Sequence, residues 1–199
     1  MSEAAHDSYW ELGGICLRPL VAGDEPLVLR LFNDGGAEAE RAYDRIGLPM
    51  SPADAAEWLE SHLKDAARGD RRVFAILRSS DGLPLGFVDV WDADRKSGVF
   101  RTGIKMLPGE SGKGNAAKAF ARVLDYYFLE LRYQKCGVYI YDFNDRSIRF
   151  HARFGFTEEG RLRRECYTQG RYHGAIWYGL TAEEYMSWRP ENPACLALE

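Results

Sequence analysis

The pattern of apolar and polar positions in the first half of the chain predicts two helices followed by a strand meander. Residues 15–20 alternate as a short strand does, and residues 24–32 place apolar side chains at helical spacing after the N-capping residue Asp24. A second helix begins at a capping-box sequence, residues 51–54. The three strands that follow are separated by turn sequences and are predicted at residues 73–77, 85–91 and 99–106.

In the second half, a glycine-rich segment, residues 107–114, precedes the most regular helical face of the chain, residues 116–131. The remaining elements are a strand, a short helix and two long strands, predicted at residues 137–141, 144–154, 156–168 and 172–180. Because a crossover helix joins parallel strands, strands 99–106 and 137–141 should be parallel. The order β-α-α-β-β-β-α-β-α-β-β predicts an α/β fold, a central mixed sheet of about seven strands with helices on both faces.

No repeat or low-complexity linker divides the 199 residues. We therefore expect a single domain over residues 13–186, with an N-terminal extension over 1–12 and a C-terminal tail over 187–199. Hydrophobic residues make up 46% and charged residues 28%, which excludes a disordered chain. No apolar run reaches the ~20 residues of a membrane span, and the polar N-terminus does not resemble a signal peptide.

The cysteines and the charges narrow the class further. The four cysteines lie far apart without any CxxC pattern, which disfavours a zinc site, so we expect reduced thiols, a cytoplasmic location and no metal. The net charge of −4 disfavours nucleic acid as a partner. Acidic residues dominate positions 34–70 and basic residues positions 146–171. A cleft that binds a cation and a phosphate would show this distribution, and so would two solvated faces of opposite sign.

The segment from Pro108 to Asn115 has the chemistry of a phosphate cradle. Its glycines allow backbone N–H groups to turn toward an anion, and the following helix N-terminus adds positive potential. A nucleotide P-loop does not fit, because the positions of its first glycine and its magnesium-binding hydroxyl hold Leu107 and Gly114. A glycine-rich connection that binds no ligand is the alternative interpretation.

Three segments carry a resemblance to a known family. Residues 112–116 resemble the end of a pyrophosphate loop, residues 144–156 (NDRSIRFHARFGF) a helix motif, and residues 156–162 with 170–172 a closing hairpin. On these segments the chain resembles the GNAT superfamily of acetyl-CoA-dependent N-acetyltransferases, over about residues 15–185. It is most similar to the branch that acetylates ribosomal proteins, spermidine and amino sugars.

The resemblance implies acetyl-CoA as a cosubstrate and no metal. It implies that loop amides bind the diphosphate, that amides at residues 104–107 polarise the thioester carbonyl, and that Asn144 meets the pantetheine arm. Arg149 or Arg153 would meet the 3′-phosphate. The implied cofactor-binding residues are Met106, Leu107, Gly112, Lys113, Gly114, Asn115, Asn144 and Arg153. Gly109 departs from the family pattern, which has Gln or Arg there, so one side-chain contact is missing.

The resemblance also implies two catalytic positions. His151 replaces the tyrosine that protonates the departing thiolate in relatives, and we expect it at the cleft edge as a general acid. The alternatives are an acid elsewhere or a water, with His151 a partly buried helix histidine. Tyr139 occupies a strand position where relatives often have a glutamate base, and it shares its face with Tyr141. Because neutral tyrosine is a poor base, Tyr139 would shape the pocket or relay a proton, and Asp89 and Glu165 are alternative bases.

The expected acceptor is a primary amine of a small molecule, such as a polyamine, an amino sugar or an aminoglycoside, or a protein N-terminus. In relatives the loop after the first helix borders the acceptor pocket, and here it carries acidic residues and one tyrosine: Asp34, Glu38, Glu40, Asp44 and Tyr43. A solvated acidic loop is the alternative. The substitution at His151 also leaves open a non-catalytic module that binds CoA or a metabolite. A homodimer through the aromatic hairpin 167–178 is expected, and neither nucleic acid nor membrane as a partner.

Overall fold

A computed structural model describes residues 8–34, 47–68 and 71–189. Within these ranges the helices are α1 (Glu25–Asn33), α2 (Pro52–Arg68), α3 (Asn115–Asp125), α4 (Asp145–Arg153) and α5 (Ala182–Trp188). A π-helical turn, Tyr126–Glu130, continues α3. The strands are β1 (Glu11–Leu12), β2 (Ile15–Pro19), β3 (Arg71–Arg78), β4 (Pro84–Asp94), β5 (Val99–Met106), β6 (Lys135–Tyr141), β7 (Thr157–Thr168) and β8 (Arg171–Thr181). No helix among these residues is long and apolar enough to cross a membrane.

The strands form one mixed sheet in the order β1-β2-β3-β4-β5-β6-β8-β7. The pair β5 and β6 is parallel, as the crossover helix predicts, and every other neighbouring pair is antiparallel. The sequence predicts about seven strands. The eighth is β1, which pairs with β2 from within the stretch expected to be an N-terminal extension.

Two hydrophobic cores lie on opposite faces of the sheet. The larger packs α3, α4 and α5 against one face and includes Phe120, Leu124, Phe154 and Tyr185. The smaller packs α1 and α2 against the other face and is lined by Leu27, Leu31, Leu59, Val73 and Phe87. The predicted helices on both faces are therefore confirmed, and burial of these apolar side chains is the dominant stabilising term.

The last described residues, Trp188 and Arg189, pack against the larger core. Trp188 donates from Nε1 to the carbonyl oxygen of Arg153 at 2.6 Å and stacks on Phe154. Arg189 pairs with the buried carboxylate of Asp125 at 2.8 Å. Residues 187–189, expected to begin a tail, are thus packed against α3 and α4.

Candidate active site

The parallel strands β5 and β6 separate after a short ladder. Three residue pairs join them, and Arg101↔Gly137 is the last. Beyond this pair β5 continues to Met106 and β6 to Tyr141, on separate paths. The sheet therefore opens as a wedge between residues 102–106 and 138–141. Since α3 and α4 begin shortly after these strands, both helix N-termini lie on the open side of the wedge.

The segment from Pro108 to Asn115, called the glycine loop below, borders this wedge. Its backbone takes a conformation that favours glycine. Gly109, Gly112 and Gly114 have φ angles of 78°, 82° and 84°. A Cβ atom added at any of the three would meet no atom within 4 Å. The space above the loop is therefore open, and the glycines are required by backbone conformation rather than by packing.

The N-terminus of α3 lacks a side-chain cap. Gly114 is its N-cap residue, no side chain hydrogen-bonds to the first turn, and the first turn has no acidic residue. The first amides of a helix have no intrahelical partner, so this end can receive an anion. Lys113 adds a positive charge beside it, although that charge is paired with Glu110 at 3.1 Å and its side chain is 54% exposed.

Asn144 is the N-cap residue of α4, the helix that follows β6. Its side-chain oxygen accepts a hydrogen bond from the backbone N–H of Ser147 at 3.0 Å. The residue predicted to meet the pantetheine arm therefore also has a structural task. This placement brings Asn144 to the wedge through the end of β6.

His151 lies in the larger core rather than at the cleft edge, where the sequence places it. Its side chain is 5% exposed and is surrounded edge-on by the rings of Phe120, Phe150 and Phe156. Nδ1 lies 2.8 Å from the carbonyl oxygen of Ser147, so Nδ1 carries the proton and donates it. The other ring nitrogen, Nε2, is buried and finds no hydrogen-bond partner among the described residues.

Burial lowers the pKa of His151 to about 4, against the weaker opposing effect of the Ser147 hydrogen bond. At neutral pH the ring is therefore uncharged and its Nε2 has no proton to donate. A general acid needs such a proton, so the geometry argues against the acid role and in favour of the structural alternative.

Tyr139 faces the opposite side of the sheet, together with Tyr141. The burial of β6 alternates, with Val138 and Ile140 in the larger core and the two tyrosines on the other face, as the period of two predicts. The Tyr139 ring lies 5.1 Å from that of Trp177 on β8, edge to face. Burial, the neighbouring Tyr141 and the Glu165 carboxylate raise the pKa of Tyr139 well above its ordinary value, so the phenol stays protonated.

The carboxylate of Glu165 accepts a hydrogen bond from the Tyr139 hydroxyl. A bulge in β7 places Glu165 at this position. The ladder to β8 shifts between Leu162 and Cys166, so that residues 163–165 lie opposite the single residue Gly174. Sequence reasoning could name Glu165 but not its facing, since the bulge breaks the alternation of the strand. The result is a carboxylate beside two aromatic rings on the face of the sheet that α1 and α2 cover only in part.

The other predicted base, Asp89, has a different environment. It is buried on β4 and forms an ion pair with Arg71 on β3. Nearby, Arg101 stacks over Trp177 at 4.5 Å and pairs with Asp92 at 3.1 Å. The charge of the Asp89 carboxylate is therefore already engaged by Arg71.

Comparison with known proteins gives the family. The model of the family described as "Acetyltransferase (GNAT) domain" matches residues 15–157. The chain belongs to this family. It is an acetyl-CoA-dependent acetyltransferase, and the predicted resemblance is confirmed.

Three relatives show how far the similarity of this GNAT chain extends. The SPbeta prophage-derived uncharacterized N-acetyltransferase YokL of Bacillus subtilis is 34% identical over 178 residues, which are 89% of this chain and 96% of the relative. The spermidine N(1)-acetyltransferase of Escherichia coli is 25% identical over 174 residues, 86% and 88% of the two chains. The spermidine N-acetyltransferase of Vibrio cholerae, solved with CoA and spermine, matches with a TM-score of 0.75 at 24% identity, covers 87% of this chain and 98% of its own, and confirms the fold.

The remaining predicted cofactor residues divide into two groups. Gly112, Lys113, Gly114 and Asn115 come together at the N-terminus of α3. The side chains of Met106 and Leu107 are buried in the cores. The Leu107 amide donates to the carbonyl of Leu85 at 2.8 Å, so the predicted donors to the thioester carbonyl narrow to the amides of residues 104–106. Arg153 is exposed in the last turn of α4, about 12 Å along the helix axis from its first residue.

The expected acceptor loop falls mostly outside the described residues. Glu38, Glu40, Tyr43 and Asp44 lie there, whereas Asp34 is described and pairs with Arg30 at 3.3 Å. In the aromatic hairpin, Tyr167 and Tyr172 are exposed and their rings contact each other at 5.0 Å. The homodimer, the domain boundaries and the cytoplasmic location stay predictions.

Proposed function

We propose that this GNAT enzyme transfers the acetyl group of acetyl-CoA to a primary amine of a polyamine of the spermidine class. The observation that carries the proposal is the wedge between β5 and β6, bordered on one side by the glycine loop and on the other by the pair of Tyr139 and Glu165. Relatives named spermidine N-acetyltransferases support the choice of acceptor.

The residues around the wedge fit CoA. The open space over Gly112 and Gly114 and the uncapped N-terminus of α3 suit a diphosphate, which the amides of residues 112–115 would bind. The backbone of residues 102–104 has no ladder partner on β6, so amide groups of the pantetheine arm can pair with this edge. When bound, acetyl-CoA supplies the acetyl group as a thioester.

The acceptor amine is proposed to lie beside Glu165. An ammonium must lose a proton before it can attack, and the Glu165 carboxylate would accept that proton directly or through water. Tyr139 would act as a positioning residue, because its hydroxyl donates to this carboxylate and fixes its direction. The rings of Tyr139 and Trp177 favour a cationic acceptor, since aromatic faces attract ammonium groups.

The departing thiolate needs little help under this proposal. A thiol has a pKa of about 8.5, so its anion leaves readily and solvent can protonate it. His151, uncharged and with its proton on Nδ1, would instead anchor α4 to the aromatic core. Under this proposal His151 has a structural role in place of the acid role that the resemblance implies.

The test is steady-state kinetics of Glu165→Gln with spermidine and acetyl-CoA. Loss of the base should lower kcat by about 10²–10⁴-fold, with the KM for acetyl-CoA nearly unchanged. Tyr139→Phe should lower kcat less, because the carboxylate keeps its charge and loses only the hydrogen bond that orients it. Glu183→Gln, an exposed position on α5, is the matched control.

Wild-type kinetics with an amino sugar and with a short peptide separate the acceptor classes. A preference for either over spermidine would contradict the polyamine assignment. CoA binding without release of thiol from acetyl-CoA with any amine would instead favour the non-catalytic module. Full activity of Glu165→Gln would show that the base lies elsewhere.

A further inference from the structure

A second concave site lies at the bulge of β7, apart from the glycine loop. It is a cavity of about 280 Å³ between the bulged segment of β7, the facing part of β8 and the end of β6. Three arginines and a histidine contribute to its lining, together with one tyrosine and one carboxylate: Arg161, Arg163, Arg164, His173, Tyr172 and Asp142. Its charge is therefore predominantly positive.

Most of the charged groups of this cavity are held in place by neighbours. Arg164 stacks on the ring of Tyr172, with the guanidinium carbon 4.1 Å from the ring centre. Arg161 forms a two-pronged ion pair with Glu158, at 2.7 Å for each hydrogen bond. The one carboxylate, Asp142, accepts a hydrogen bond from the Gly174 amide at 2.8 Å and lies 3.4 Å from Nδ1 of His173.

Arg163 is different from these neighbours. No described residue hydrogen-bonds or forms an ion pair with it, although it lines the cavity between two arginines of fixed position. A guanidinium presents its donors in a planar fork that matches phosphate and carboxylate oxygens. Arg163 thus offers donors of suitable geometry at the wall of a positively charged concavity.

The backbone around the cavity is built for this shape. Arg164 has a φ of 55°, an uncommon value for a non-glycine residue. On the facing strand, a Cβ atom at Gly174 would come within 2.8 Å of both the Leu162 carbonyl oxygen and the Asp142 carboxylate. Only glycine fits there, so the bulge and the cavity form together as one fixed feature of the β7–β8 pair.

We propose that this cavity is a binding site for a small oxyanion, the phosphate or carboxylate group of a metabolite. Arg163 supplies the charge-assisted hydrogen bonds, and the stacked Arg164 supplies a second, preoriented guanidinium. The site does not depend on the proposed acetyl acceptor. The bulge that forms it also carries Glu165, so a bound anion would contact the segment that delivers this carboxylate.

Isothermal titration calorimetry with inorganic phosphate and, separately, with citrate tests the proposal at fixed ionic strength near pH 7.5. We expect saturable binding of at least one of the two, which tells phosphate from carboxylate ligands. Arg163→Gln should weaken it by about tenfold or more, and Arg163→Lys by less, because lysine keeps the charge but loses the fork. Arg95→Gln removes the same charge from an exposed position in the turn between β4 and β5 and should leave the affinity unchanged.

Phosphate could also bind at the glycine loop, and the Gly112→Val variant separates the two sites. Anion binding that survives in Gly112→Val and is weakened by Arg163→Gln supports the cavity. Binding that disappears in Gly112→Val and is untouched by Arg163→Gln belongs to the loop and overturns the proposal. Absence of saturable binding of either anion at millimolar concentration overturns it as well.

Discussion

The sharpest consequence of the structure concerns His151. Its ring is enclosed by Phe120, Phe150 and Phe156, and its pKa falls to about 4 from an ordinary value of 6.5. The unfolded chain therefore takes up a proton at this residue first as the pH falls. The contribution of the neutral, buried His151 to the free energy of unfolding is therefore fully present above pH 6.5 and is lost progressively as the pH falls toward 4.

The size of the effect follows from these two pKa values. Between about pH 7.5 and about pH 5, protonation of His151 in the unfolded state costs the native state about 2 kcal/mol, and about 3 kcal/mol below pH 4. His151→Leu removes the titration while keeping an apolar side chain of similar volume. The lost hydrogen bond leaves no unpaired carbonyl, because the Ser147 oxygen is also within reach of the helical amide four residues later.

Urea unfolding of the wild type and of His151→Leu at the two pH values measures this difference. Burial also lowers the pKa of His62, but His62 is present in both proteins and cancels in the comparison. We expect the variant to lose about 2 kcal/mol less than the wild type on acidification. Equal losses would refute the buried, neutral histidine.

The same variant tests the catalytic question near pH 7.5. Because the neutral ring has its proton on Nδ1, His151→Leu should keep acetyl transfer within about threefold of the wild type. A loss of about 10²-fold or more in a folded variant with unchanged CoA affinity would restore His151 as the general acid.

Three further predictions concern the cofactor side and assembly. Gly112→Val and Gly114→Val should each weaken CoA binding, measured by calorimetry. Gly82→Val is the control, because Gly82 also has a positive φ and open space but lies in a distant hairpin, and it should leave CoA binding unchanged. Equal effects of all three variants would contradict the assignment of the glycine loop to CoA. Asn144→Ala should lose about 1 kcal/mol of stability with the α4 cap and Asn144→Ser little, and weaker CoA binding in both variants would reveal a contact with the cofactor. Sedimentation should show a dimer at micromolar concentration, and a monomer at that concentration would contradict the expected homodimer.

Local sequence signals predicted much of the framework because they specify short-range hydrogen bonds. The capping box predicted at residues 51–54 forms as a reciprocal pair of hydrogen bonds between Ser51 and Asp54. The turn at residues 169–170 takes positive φ at both positions, as a tight hairpin needs. Asp24 is the exception, since its carboxylate binds Arg18 and the Val21 amide instead of capping α1.

The site was harder to predict because it depends on tertiary packing. The burial of His151 depends in part on Phe120 on α3, more than 30 residues away in the chain, a contact that no local pattern encodes. The facing of Glu165 depends on a bulge, and a bulge reverses the alternation from which facing is read. The glycine loop was predictable, because its glycines and the following helix are adjacent in sequence.

The most direct test of the central claim is acetyl transfer to spermidine by the purified protein. Thiol release from acetyl-CoA should depend on spermidine and saturate with it, and mass spectrometry should find spermidine carrying one added acetyl group. A protein that binds CoA in the same preparation but releases no thiol with spermidine, and yields no acetylated product, would contradict the account.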